Sequence, residues 1–170
     1  MKLDENGKEQ FGEIKGWLRR YKYAVDDLKS IQTRIEVLKD RMLSPSAPVL
    51  SDMPKGSSTD PDKIGRAYSI VDELEREAAE ETERAKEIYR EVYNAIRQIR
   101  GNGKAEIRLV LQLRHLDLMA WDEICFIIFG DNPNFYDKES SYTRRTFALH
   151  RQGVEALAKI VDITNKEENE

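Results

Sequence analysis

Cysteine occurs once in the 170 residues, at Cys125. A single thiol excludes an intramolecular disulfide framework and a multi-cysteine zinc site, and is compatible with a reducing compartment. It lies in the apolar run Ile124-Cys125-Phe126-Ile127-Ile128-Phe129, where a thiol acts as a small buried hydrophobe. Histidine is nearly as scarce. His115 and His150 fall on different predicted helices without metal-ligand spacing, so no metal is expected. There is no Gly-rich phosphate loop, no H-E-x-x-H and no G-x-S-x-G, and with them go the usual signatures of nucleotide, metalloprotease and hydrolase chemistry. The reading is therefore not an enzyme, with no catalytic residue and no cofactor. No stretch approaches the roughly 18 apolar residues of a membrane span. The start Met1-Lys2-Leu3-Asp4-Glu5-Asn6 lacks an apolar signal-peptide core. A cytoplasmic protein with no membrane partner is expected.

Glycine and proline are also few, nine and five. Since Gly costs about 1 kcal/mol and Pro about 3 kcal/mol inside a helix, their rarity favours long uninterrupted helices. Charged residues make up 35% of the chain and hydrophobic ones 39%, enough for helices packed along one stripe but little for several buried layers. The net charge of −4 excludes a surface coated with basic residues and by itself argues against nucleic-acid binding. Charge is unevenly placed, however. Acids are dense between Asp72 and Glu91, whereas Arg144, Arg145 and Arg151 gather near the C-terminus.

From about Phe11 to Leu43, apolar residues at Ile14, Leu18, Tyr21, Val25, Leu28, Ile35 and Met42 alternate in steps of four and three, a heptad stripe. Gln32 and Lys39 occupy seam positions beside Ile31 and Leu38, so the seam is broad and suited to a bundle. Residues 44–59, rich in Pro, Gly and Ser, read as a connection. Asp60 and Pro61 then supply an N-cap and a first helical residue. A second stripe follows at Ile64, Ala67, Val71, Leu74, Ala78, Glu81, Ala85, Ile88, Val92, Ala95 and Ile99, and Gly101-Asn102-Gly103 is expected to end it. Two long helices joined by a short link form an antiparallel hairpin over 11–100. Its small alanines and Glu81 leave a weak pair of helices, so association into a homo-oligomer is expected, with a structural spacer or a docking surface as the two roles open to it.

The third segment, 104–163, begins with an amphipathic helix carrying Ile107, Val110, Leu111, Leu113 and Leu116. The run Trp121–Phe129 is apolar on nearly every side and is expected to be buried. The last helix, from about Ser140 to Ile163, is expected to bury an arc that includes Tyr142, Thr146, Phe147, Leu149, Val154 and Leu157. Ser141, Arg144, Arg145, Ala148, Arg151, Gln152 and Lys159 fall on the opposite arc, with Glu155 its only acid. A face of arginines and a glutamine around one small residue suits a DNA major groove, where Arg pairs with guanine edges or clamps phosphates. The same pattern also describes an ordinary solvated face. Arg145, near the centre of that arc, is the expected base reader and Arg151 the backbone contact.

Three stretches carry a resemblance: Ser51-Asp52-Met53-Pro54-Lys55-Gly56-Ser57-Ser58; Leu113-Arg114-His115-Leu116-Asp117 with Ala120-Trp121-Asp122-Glu123-Ile124; and Arg144-Arg145-Thr146-Phe147-Ala148-Leu149-His150-Arg151. The latter two resemble the DNA-binding region at the C-terminal end of primary sigma factors. Together the three are similar to the ArpU and RinA type phage regulators of late transcription, which carry such a unit behind two long helices. The resemblance implies an all-α fold with a helix-turn-helix, promoter DNA as partner, and contact with RNA polymerase. Two features depart from that pattern. Leu118 and Ala120 stand where the family's turn offers glycine and a capping hydroxyl, and the link 130–139 exceeds the usual three or four residues. A phage terminase small subunit and a protein-binding, anti-sigma-like factor are the alternative readings. The first is less similar, because its DNA-binding unit generally comes first.

Overall fold

The computed structural model describes residues 5–43 and 61–161. They form the helices α1 (Glu5–Leu43), α2 (Pro61–Arg97), α3 (Lys104–His115), α4 (Trp121–Phe129) and α5 (Glu139–Leu157). A short 3-10 helix, Tyr136–Lys138, precedes α5, and no strand occurs among the described residues. The fold is all-α, a hairpin of long helices followed by three shorter ones. The Asp60 cap, the connection 44–59, the side chain of Ile64 and everything beyond residue 161 lie outside the described residues.

The chain divides into two compact units, residues 24–85 and residues 1–23 with 86–170. In the first, Ile35, Val71 and Leu74 are buried together, with Ile31, Leu38, Met42 and Ala78 packed against them. Gln32 and Lys39 are exposed at their seam positions, and Ile31 and Leu38 beside them do the packing. Lys39 Nζ lies 2.5 Å from Glu75 Oε1 across the pair. Glu81 interrupts the seam with its side chain only 16% exposed.

In the second unit, Ile14, Leu18, Val92, Ile96, Ile107, Leu111, Val154 and Leu157 share one core. Residues of both long helices therefore pack with α3 and α5. Trp17, absent from the predicted stripe, joins that core. Its indole N–H reaches Glu91 Oε1 at 3.4 Å, and Arg20 Nη2 lies 2.6 Å from Glu91 Oε2. The rings of Tyr21 and Tyr89 meet edge to face at 5.4 Å.

Four sequence expectations are corrected. Helix α2 ends at Arg97, before the glycines: Gln98 and Ile99 N–H bond to Ala95 and Ile96 carbonyls, tightening the last turn. The Ile99 carbonyl, thus freed, accepts a 2.7 Å bond from Arg108. Helix α5 stops at Leu157, where Ile160 and Val161 N–H both turn back onto the Leu157 carbonyl. The turn packs Ile160 and Val161 against the core, and Gln10 caps the Ala158 carbonyl at 3.1 Å. Helix α4 is buried only on the side of Ile124, Cys125 and Phe129, while Phe126 and Ile127 stand 54% and 49% exposed. Phe147 is 44% exposed instead of lying in the core arc of α5. No helix among the described residues is long and apolar enough to cross a membrane.

Candidate functional site

Helix α5 is set in place by two neighbours. Against α3 it presents Gly153, where a Cβ would stand 2.7 Å from Leu111 Cδ1 and 3.0 Å from Ile107 Cγ2. A glycine inside a helix is unfavourable, and here it permits the backbone of α5 to lie on those side chains. Against α4, Tyr142 stacks on Phe129 at 5.0 Å and on Phe135 at 5.7 Å. Phe135, 5% exposed, anchors the long link 130–139, whereas Tyr136 is 79% exposed. Asn132 closes the start of that link, its backbone and side-chain amides both donating to the Phe129 carbonyl. Thr146 is buried, its hydroxyl donating to the Tyr142 carbonyl at 3.0 Å.

The turn from α3 to α4 has neither a glycine nor a capping hydroxyl. Leu118 takes a left-handed conformation, φ 56°, which costs a side-chain-bearing residue about 1–2 kcal/mol. Met119 N–H reaches back to the Leu113 carbonyl, and Arg114 donates to the Met119 carbonyl at 2.7 Å. Ala120 carries no cap of its own, but Glu123 Oε2 accepts its N–H at 2.8 Å, the returning half of a capping box. The Arg114 guanidinium also covers the Trp121 ring at 4.8 Å.

Ser141, Arg144, Arg145, Ala148, Arg151 and Gln152 are all exposed on α5. Lys159 is exposed too, but it lies past the end of α5 and leaves that row. Their electrostatic states differ. Arg145 Nη2 is 3.7 Å from Glu106 Oε2, and its guanidinium sits 5.0 Å from the Phe129 ring centre. Arg151 Nε is 2.9 Å from Glu155 Oε1. Arg144, alone of the three arginines of α5, forms no ion pair among the described residues. Residues 104–161 hold eight Lys and Arg and eight Asp and Glu, so any attraction for an anion comes from segregation on α5 and not from overall charge.

Sequence spacing missed a second cluster. His115 on α3 and His150 on α5 meet with Nε2 atoms 2.9 Å apart and rings 5.2 Å apart. That contact requires one ring to donate Nε2–H and the other to accept it. Burial pushes the His115 pKa down to about 3, helped by His150, Arg114 and Arg19. Burial, then Lys15 and Arg114, push His150 down to about 4. Both rings are thus neutral at pH 7, and the rings of Trp121 and His150 meet edge to face at 5.1 Å. The available signal was helical phase: His115 lies four residues after buried Leu111, and His150 four before buried Val154. No group of three or more His, Cys, Asp or Glu among the described residues could hold a metal. Cys125 is buried, 3.8 Å from the Thr143 hydroxyl.

No protein-family model matches the chain, and no curated protein or solved structure matches it.

Proposed function

We propose that this chain binds double-stranded DNA through the exposed face of α5 and acts as a phage or prophage transcription regulator, its hairpin serving self-association or contact with RNA polymerase. The observation that carries the reading is charge segregation. From Ser140 to Gln152, α5 bears three arginines and no acid, and all three are exposed. Ala148 among them leaves room for close approach to base edges. The opposite side of α5 is occupied by α3 and α4, an arrangement that gives a recognition helix a rigid backing. The resemblance to late-gene regulators supports transcription as the setting.

Arg144 is the assigned base reader, ahead of Arg145, because Arg145 must first part from Glu106 and Phe129. That exposed ion pair is worth less than about 1 kcal/mol, so Arg145 remains able to hold a phosphate. Binding of each Ala variant to a selected duplex and to random duplex, at two salt concentrations, tests these roles. Arg144→Ala is expected to lose about 1–3 kcal/mol of discrimination. Arg151→Ala is expected to weaken both duplexes alike and flatten the salt dependence. A folded triple variant that binds both duplexes as the parent does refutes the reading. It would favour instead a protein-binding role, for which the exposed Phe126 and Ile127 on α4 are the supporting observation.

A further inference from the structure

Of the large apolar residues on α5, Phe147 alone is exposed, at 44%. It stands three residues after Arg144 and four before Arg151, spacings that set all three on adjoining parts of one helix face. Its ring is also braced. Trp121 meets it edge to face at 4.8 Å, and Trp121 is itself held by His150, edge to face at 5.1 Å, and by the Arg114 guanidinium 4.8 Å from its ring centre. Phe147 is therefore open to solvent in a supported position, with a guanidinium before it, another after it and a third on the indole beside it. A ring so held, with only two rotatable side-chain bonds, loses little freedom when a partner covers it.

We infer that Phe147 reads a thymine methyl group in the major groove, beside the guanine assigned to Arg144. Base edges in that groove present hydrogen-bond donors and acceptors, which an aromatic ring does not satisfy, and one apolar group, the methyl of thymine. A ring framed by arginines matches such a partner, since phosphates and guanine edges take the cations and the methyl takes the ring. No acid of α5 intervenes, because the helix has neither Asp nor Glu from Ser140 to Gln152. With α5 along the groove, Arg144 and Phe147 are about 4.5 Å apart on the helix axis, near the roughly 3.4 Å rise between base pairs. Neighbouring bases thus come within reach of the two. The inference rests on the DNA-binding reading above and adds a specificity determinant to the same helix.

A duplex selected from a random pool by the full chain is the probe, each of its thymines replaced in turn by uracil, which removes the methyl group and leaves base pairing as it was. One replacement, beside the guanine located by Arg144→Ala, is expected to weaken parent binding about fourfold, the equivalent of burying one methyl group. Phe147→Ala is expected to bind the thymine and uracil duplexes alike, and Phe147→Leu to keep part of the preference. Each comparison is a ratio of two duplexes on one protein, so it does not depend on how much of a variant is folded. Should Phe147→Ala fail to fold, a reduced preference in Phe147→Leu supports the assignment and an unchanged one overturns it. A parent that selects no duplex overturns both the DNA-binding reading and this one. A parent that binds its duplex selectively but ignores every uracil, or whose site has no thymine there, overturns the methyl contact alone. So does a methyl preference that survives in Phe147→Ala, which belongs to another residue such as Ala148.

Discussion

Replacing Gly153 by alanine tests how tightly α5 is held against α3. The new Cβ would stand 2.7 Å from Leu111 Cδ1, 2.9 Å from Leu111 Cγ and 3.0 Å from Ile107 Cγ2, against about 3.5–4.0 Å for an unstrained carbon pair. A clash with a terminal methyl is relieved by a rotamer change, but one with the Leu111 branch carbon is not. Leu111 and Ile107 are 0% and 2% exposed, so neither has room to withdraw and the helix itself must shift. Overpacking of that kind costs about 1–3 kcal/mol, which outweighs the gain of about 1 kcal/mol from alanine's helix propensity. A net loss of about 1 kcal/mol is expected, seen as a fall of about 2–4 °C in Tm. Gly16 in α1 is the matched control, since nothing lies within 4 Å of its added Cβ. Gly16→Ala should therefore raise Tm by a similar amount. Thermal melts of the two variants, read by circular dichroism, have opposite signs if the reasoning holds. A rise in Tm for Gly153→Ala equal to that for Gly16→Ala would refute the close crossing and the rigid backing it gives the arginine face.

The histidine pair predicts an acid-sensitive fold. Both folded pKa values lie below the ordinary 6.5, so the unfolded chain takes up protons first. Stability is complete above about pH 6.5 and declines as pH falls toward about 4 and 3, by at most about 1.4 kcal/mol per pH unit for His115 and less for the half-buried His150. They are the only two histidines in the chain. A Tm that falls between pH 6.5 and 5 in the parent, but not in His115→Gln/His150→Gln, is the expected result; a flat parent profile rules the shifts out. In α4, Ile124 is fully buried whereas Trp121 is only half-buried. Ile124→Ala should cost about 2–5 kcal/mol and Trp121→Ala about 2 kcal/mol, from half of a large aromatic area. Calorimetry that ranks them the other way would move the core of the C-terminal helices toward Trp121.

Periodicity by itself determined the all-α fold, the two long helices and their buried stripes: Val71, Leu74, Ala85, Val92, Ala95 and Ile99 are buried where heptad spacing puts them. It also put Glu81 in the seam and the arginines of α5 on an open face. Spacing works there because a helix repeats every 3.6 residues, so one covered side writes itself into the order of side chains. It could not tell how much of a face would be covered. The run Trp121–Phe129 is apolar all round, yet only one side of it meets α3 and α5, and Phe126 and Ile127 remain outside. Phe147 counted as core for its chemistry, although its phase lies beside Ala148 and its ring, 44% exposed, meets Trp121 edge to face at 4.8 Å. The helix ends escaped as well, because the chain leaves α5 at Leu157 to bury Ile160 and Val161 in a core assembled from residues more than 130 positions away, such as Ile14. The meeting of His115 with His150 and of Arg145 with Glu106 likewise depends on where Gly153 lets two helices cross. Local order sets which way each residue faces, and only tertiary packing decides what it faces.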